Sequence, residues 1–182
     1  MTQTLLALLA PGSVEAEVGR VQQAIFAEHG LVSSIALPSL MPVAFLASDE
    51  PRRGLLAELN AAVAAPYRIV FTGLSWQEGW LYLGVDSGGA WLSLRAAALA
   101  AFAHETGGKP GLFPAFEGFF LGCAEAQAEH RGLIRPSLPA GGFTSSVLSL
   151  MRIDAAGAGG AWWREVSTEI LEELPLRGRR RS

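Results

Sequence analysis

Charge is scarce in this chain. Only 17% of its 182 residues are charged, the net charge is -3, and 50% of the residues are hydrophobic. That balance excludes a disordered chain, which cannot bury enough apolar surface to offset the entropy of ordering, and it supplies no general field for nucleic acid. The one concentration of charge, Arg177, Arg179, Arg180 and Arg181 in the tail 177–182, reads as a solvated basic tail; phosphate binding by it is the less favoured reading. Cysteine is nearly absent too. Cys123 stands alone, so no intrachain disulfide framework or cysteine-rich metal site can form, and a reducing cytoplasm is the natural compartment. Long apolar runs are missing as well. The opening Met1–Ala10 stretch has no basic flank and meets Pro11-Gly12 early, so it reads as a first strand rather than a secretory signal. The run from Ala96 to Ala103 lies between Arg95 and His104 and falls short of the ~20 residues that a membrane span needs. A soluble protein without membrane association is expected.

Motifs for cofactors and catalysis are also lacking. Gly107-Gly-Lys-Pro110 has neither the spacing nor the following Ser or Thr of a phosphate loop, and there is no Gly-x-Ser-x-Gly elbow or His-Glu-x-x-His helix. His29, His104 and His130 are too dispersed to indicate a metal site. His29 falls in the last turn of a helix, where the dipole favours a surface histidine. Cys123 reads as a small packed thiol. No cofactor and no metal are expected.

What the chain does have is a legible order of elements within one domain, residues 1–182. Thr4–Ala10 reads as a strand, followed by a turn in which Ser13 can cap a helix. Val14, Val18, Val21 and Ile25 then follow at helical spacing up to Gly30. Leu31–Leu37 and Pro42–Ser48 read as strands, and Asp49-Glu-Pro51 opens a second helix carrying Leu55, Leu56, Leu59 and Val63. The strands Tyr67–Leu74 and Trp80–Val85 are joined by the hairpin-length Ser75–Gly79. Asp86–Gly89 leads into a third helix with Trp91, Leu92, Leu94, Leu99 and Phe102 on its buried face, ended by Gly107-Gly108. The connection 109–142 is rich in Gly, Pro and Phe and shows no sustained period apart from a short helix at Cys123–Glu129. It reads as a lid, a binding loop or an oligomer contact. Ser145–Ile153 is a further strand, and Trp162–Ile170 reads as a strand with a helix as the alternative. The class is α+β.

Two of these strands carry more than their period. Pro42-Val43-Ala44-Phe45-Leu46 and Val147-Leu148-Ser149-Leu150-Met151-Arg152-Ile153, with the elements around them, resemble the 2H phosphoesterase superfamily, which includes the bacterial 2'-5' RNA ligases and the cyclic phosphodiesterases. The resemblance spans the chain except 109–142. It implies a bilobal fold, two pseudo-symmetric lobes of antiparallel-rich sheet with helices packed outside and a central cleft, in which two His-x-Thr/Ser-x motifs face each other. In that family one histidine takes a proton from the attacking hydroxyl and the other returns one to the leaving oxygen, while the hydroxyls and backbone amides hold the phosphate. At the matching positions this chain has Val43 and Val147, and at the hydroxyl positions Phe45 and Ser149. Proton transfer by such groups is worth ~100- to 10,000-fold each.

The resemblance therefore implies a degenerate protein with no catalytic residue, a pseudoenzyme serving in ligand binding or interaction. Val43, Phe45, Val147 and Ser149 would line its cleft, and Arg152 would be either an anion partner or a surface residue at a strand end. A small phosphorylated ligand or an RNA end is the ligand class implied. Other readings stay open. The chain could be a 2',3'-cyclic phosphodiesterase or other hydrolase that uses His104, His130, Glu117 or Cys123, brought in by the long connection. It could be a structural protein that self-associates as a homodimer through Gly111–Leu121. Val43 and Val147 could also be ordinary β-branched strand residues of an unrelated α+β domain.

Overall fold

The first strand has no wet face. In the computed structural model, which describes residues 1–47, 54–59, 66–103, 111–123, 136–145, 147–156 and 162–176, Thr2–Leu9 (β1) runs with Leu5, Leu6, Ala7 and Leu8 all buried. A strand apolar on both faces belongs in the middle of a covered sheet. β1 accordingly lies between Leu40–Leu46 (β2) and Val147–Ala155 (β7), and Val166–Pro175 (β8) completes the order β2-β1-β7-β8. A second sheet is built from Arg68–Gln77 (β3), Trp80–Asp86 (β4), Gly118–Cys123 (β5) and Gly142–Thr144 (β6), in the order β5-β4-β3-β6. Every pairing is antiparallel. The expected bilobal α+β architecture is what forms, with one refinement. The first sheet joins the beginning of the chain to its end.

Alternation along the strands divides the core in two. Leu6 and Leu8 of β1, Leu148 and Leu150 of β7, and Leu81, Leu83 and Val85 of β4 pack with the helices. These are Gly12–His29 (α1), through Val14, Val18, Val21 and Ile25; Leu55–Leu59 (α2), through Leu55, Leu56 and Leu59; and Ala90–Ala101 (α3), through Trp91, Leu94 and Ala98. Leu5, Ala7, Met151 and Ile153 face the other way and meet Tyr82 and Phe120 of the second sheet in a cluster that contains no residue of α1, α2 or α3. The helices are thus outside and a seam lies between the sheets.

Several expectations need correcting. Leu31–Leu37 is not a strand: Val32–Ile35 forms a 3-10 turn, in which the Ser34 hydroxyl donates to the carbonyls of Leu31 (2.7 Å) and Gln22 (2.9 Å). Serine hydroxyls that bond nearby carbonyls in this way compete with strand pairing. The helix α1 begins after Pro11 rather than at a Ser13 cap, and its last turn closes on Gly30, which has φ 66° and donates to Phe26. The connection 109–142 contains one strand, β5, and a second, β6, begins at its last residue. In β5, Phe119 and Leu121 go to the helix side and Phe120 to the seam, so both faces are buried and no alternation marks the strand. The segment Trp162–Ile170 is a short 3-10 turn, Trp162–Arg164, followed by β8. The third helix ends at Ala101, where the Phe102 N–H donates to the Ala98 carbonyl, ahead of the expected stop at Gly107-Gly108. The helix expected at Cys123–Glu129, the end of the second helix and the arginine tail lie outside the described residues. Among the described residues no helix is long and apolar enough to cross a membrane.

Both tyrosines of the chain sit inside this fold. Burial pushes the Tyr82 phenol well above its ordinary value of 10.0, with Glu78 adding to the shift. Burial does the same for Tyr67, partly offset by Ser145 and reinforced by Glu117. A folded value above the unfolded one means that the unfolded chain loses its phenol protons first. This stabilisation is complete below about pH 10 and declines as pH rises past it. We expect an absorbance titration to show no phenolate while the fold persists and a rise that coincides with alkaline unfolding. A tyrosine ionising near pH 10 with the far-ultraviolet circular dichroism intact would contradict this.

Candidate functional site

The two strands that carry the motif-like segments, β2 and β7, flank β1 on either side. Their registers decide which residues meet across it. Ala7 pairs with Pro42 on one side and Ser149 on the other, so Pro42, Ala7 and Ser149 form one row. Leu9 pairs with Leu40, and Val147 stands two residues before Ser149 on the same face of β7. The residues opposite Val147 and Ser149 are therefore Leu40 and Pro42, not Val43 and Phe45.

The cause lies in Pro42. Proline has no N–H for the ladder, and the strand bulges there: Leu6 faces Ala44 and Ala7 faces Pro42, leaving Val43 as the extra residue. The freed carbonyls turn to α3. Pro42 accepts from the Trp91 indole N–H at 3.3 Å, Val43 accepts from Arg95 Nη1 at 2.6 Å, and the Arg95 guanidinium lies 5.6 Å from the centre of the Trp91 ring. The Val43 side chain is fully buried on the helix side of the sheet. Phe45, beyond the bulge, packs on the seam side.

The seam is filled by rings. The segment 111–117 crosses it as a strap, tied to the first sheet by the Leu112 N–H, which donates to Gln3 Oε1 at 2.7 Å, and to the second by the Tyr82 hydroxyl, which donates to the Pro114 carbonyl at 2.7 Å. Phe113 stands edge-on to Phe45 (centroids 5.1 Å apart, 85° between planes) and lies 4.5 Å from Phe120 and 5.8 Å from Trp80. Phe116 lies 4.9 Å from Tyr82. Gly111 sits against the Phe45 ring so closely that a Cβ there would lie 2.4 Å from Cδ2. Ring pairs of this kind are each worth about 0.5–1.5 kcal/mol beyond the area they bury.

Beneath the rings, Ser149 is fully buried and its hydroxyl has no hydrogen-bond partner among the described residues. Alongside, on the seam face of the first sheet, runs an open groove of about 440 Å³ whose walls include Leu9, Pro38, Met151, Thr168 and Ile170.

The expected site residues are therefore only partly brought together. Phe45, Val147 and Ser149 share the seam face, with Val147 half-buried at its margin. Arg152 stands three residues after Ser149 and so points to the opposite face, where it pairs with Glu169 and lies 3.5 Å from Asp154. It cannot reach an anion held at Ser149. Glu117 accepts from the Ser87 hydroxyl and N–H, and the Ser87 hydroxyl in turn accepts from the Trp91 N–H at 2.9 Å, so this carboxylate anchors the start of α3. Leu112, Phe113 and Phe119–Leu121 are buried within the chain itself, which leaves few of their apolar atoms for an oligomer contact. His104, His130 and the Cys123 side chain lie outside the described part. Sequence reasoning missed Leu40, Pro42 and Phe113. The proline was the available signal, since it marks the place where a strand register breaks.

The whole fold recurs among solved structures. TT0787 of Thermus thermophilus superimposes with a TM-score of 0.61 at 18% identity, covering 98% of this chain and 100% of that one. A crystal structure described as a phosphoesterase gives 0.66 at 12% identity, with 98% and 100% covered. Escherichia coli LigT, in its NADP+ complex, gives 0.67 at 13% identity, with 97% and 99% covered. No protein-family pattern matches the sequence, and no curated protein matches it. The likeness is one of fold: a bilobal 2H phosphoesterase-like architecture.

Two substitutions in the seam should act in opposite directions. Phe113→Ala removes the ring that Phe45, Phe120 and Trp80 share and should cost about 3–5 kcal/mol. Ser149→Ala removes a buried hydroxyl that has no partner among the described residues and should be neutral or stabilising by about 1 kcal/mol. Urea denaturation measures both. A loss of more than about 2 kcal/mol for Ser149→Ala would show that the hydroxyl is bonded after all.

Proposed function

We propose that this chain, folded as the 2H phosphoesterases are, is a non-catalytic binding or interaction protein. The observation that carries the proposal is the make-up of the two rows that face each other across β1. Leu40 and Pro42 on one side and Val147 and Ser149 on the other include no group that exchanges a proton near neutral pH. General acid–base catalysis needs a titratable group within hydrogen-bond reach of the reacting oxygen. Neither side of the seam offers one among these residues.

The rings support the same reading. E. coli LigT is found complexed with 3'-AMP, ATP and phosphate. A phosphorylated ligand entering the seam of the present chain would have to displace Phe113 from Phe45 and Phe120 and leave its charge on an apolar floor. Burying an unpaired charge in such surroundings is strongly unfavourable. The open groove lined by Leu9, Pro38, Met151 and Ile170 also carries the Glu15 carboxylate and no basic residue, so it suits a phosphate poorly.

Incubating the purified protein with 2',3'-cyclic nucleotides and with 2'-5'-linked oligonucleotides tests this. We expect no turnover above the uncatalysed rate for either substrate. Turnover abolished by His104→Ala or His130→Ala would overturn the proposal in favour of a hydrolase that uses residues outside the two rows.

A further inference from the structure

The outer edge of β8 has the features of a docking strand. Among the described residues β8 is the last strand of its sheet, ten residues long, and Ser167, Thr168, Glu169 and Ile170 are exposed. An edge strand presents unpaired backbone donors and acceptors, and proteins commonly blunt such an edge with lysine, proline or a bulge. Here the stretch Val166–Ile170 pairs regularly with Ala155–Met151, the register shift comes only after it, and the stretch contains neither lysine nor proline.

The two faces of this stretch differ in chemistry. Thr168 and Ile170 line the groove of about 440 Å³ together with Met151, Leu9, Pro38, Ser39 and Glu15, and Ile170 leaves 47% of its surface to solvent. Ser167 and Glu169 point the other way, beside Asp154 and Arg152. On that side Asp154, Glu165 and Ser167 line a second cavity of about 460 Å³. Asp154 and Glu169 hold the Arg152 guanidinium between them, and the Met1 ammonium, which donates to the Ala155 carbonyl, lines the same cavity as Asp154 and Glu165, so three carboxylates on this face stand with two cations. The groove face is mainly apolar, with the Glu15 carboxylate in its wall, and the other face keeps a small excess of negative charge.

We infer that this edge takes up an extended peptide in which basic residues alternate with apolar ones. The peptide's backbone would pair with β8 as a fifth strand. Because successive side chains of a strand point to opposite faces, its apolar residues would enter the groove over Ile170 and Met151. Its Lys or Arg residues would meet Asp154, Glu165 and Glu169. Charge also argues against the alternative of two copies pairing through β8. In an antiparallel pair centred on this stretch, the Glu165 and Glu169 carboxylates of both copies would be gathered on the same face, and like charges across strands repel. The inference goes beyond the proposed function and does not depend on whether the seam is catalytic.

The test uses three fluorescently labelled, N-acetylated peptides: one alternating Lys with Val, one alternating Glu with Val, and one with the Lys and Val residues grouped in blocks. Anisotropy should show binding of the alternating basic peptide alone, weakened by salt as expected for charges near a surface. Hydrogen exchange followed by nuclear magnetic resonance should show slowed exchange of β8 amides on binding. Glu165→Lys should weaken the complex by roughly two- to fivefold, and Ile170→Lys, which places a cation in the apolar groove, should weaken it further. Equal binding of the Glu peptide or the blocked peptide would overturn the inference. So would binding that leaves β8 exchange unchanged. Concentration-dependent protection of β8 in the protein alone, together with a dimer in sedimentation that Ile170→Lys abolishes, would assign the edge to a second copy and overturn it as well.

Discussion

Everything in this structure follows from a strand that must be buried on both faces. β1 supplies Leu6 and Leu8 to the helices and Leu5 and Ala7 to the seam, and both of its edges are paired. A slip of one residue on either side would send an entire hydrophobic set to the wrong face, so the registers with β2 and β7 are tightly specified. Those registers in turn choose the residues that look at one another across the strand. The floor of the seam is consequently a property of the core and not of any loop.

The roof is made by side chains from a segment that looks like a connection. Residues 111–117 cross from one sheet to the other, fastened by one hydrogen bond to Gln3 and one from Tyr82. Single hydrogen bonds contribute only about 0.5–1.5 kcal/mol each. Burial of Phe113, Phe116 and Leu112 against rings from both sheets contributes more. The strap thus fills with rings what would be a cleft in a bilobal fold, and Ser149 stays buried with no hydrogen-bond partner for its hydroxyl among the described residues.

The order of elements, the two-lobed class and the pairing of two special strands were legible in the sequence, because strand and helix periods survive wherever one face is wet. The details that failed share a physical cause. β5 is hidden because Phe119, Phe120 and Leu121 are all buried, so the alternation that identifies a strand is absent. The 3-10 turn at Val32–Ile35 depends on where the Ser34 hydroxyl finds carbonyls, including that of Gln22 on a helix. Matching Val43 to a seam position relies on counting along the chain. Counting fails at the Pro42 bulge, where one residue has no partner. Grouping Arg152 with Ser149 relies on proximity in sequence, although an odd separation on a strand guarantees opposite faces. The shift leaves the proposal of a non-catalytic protein as it was, because Leu40 and Pro42 are as unable to move a proton as Val43 and Phe45.

The central claim is that the seam between the sheets is closed interior and not a ligand site. Nuclear Overhauser contacts between ring protons report it directly. The account predicts contacts of Phe113 with Phe45 and Phe120 that persist unchanged when millimolar phosphate, 3'-AMP or ATP is added. Loss of those contacts on addition of any of the three, with shifts at Ser149 and Val147, would show that the strap opens and that the seam receives a phosphorylated ligand.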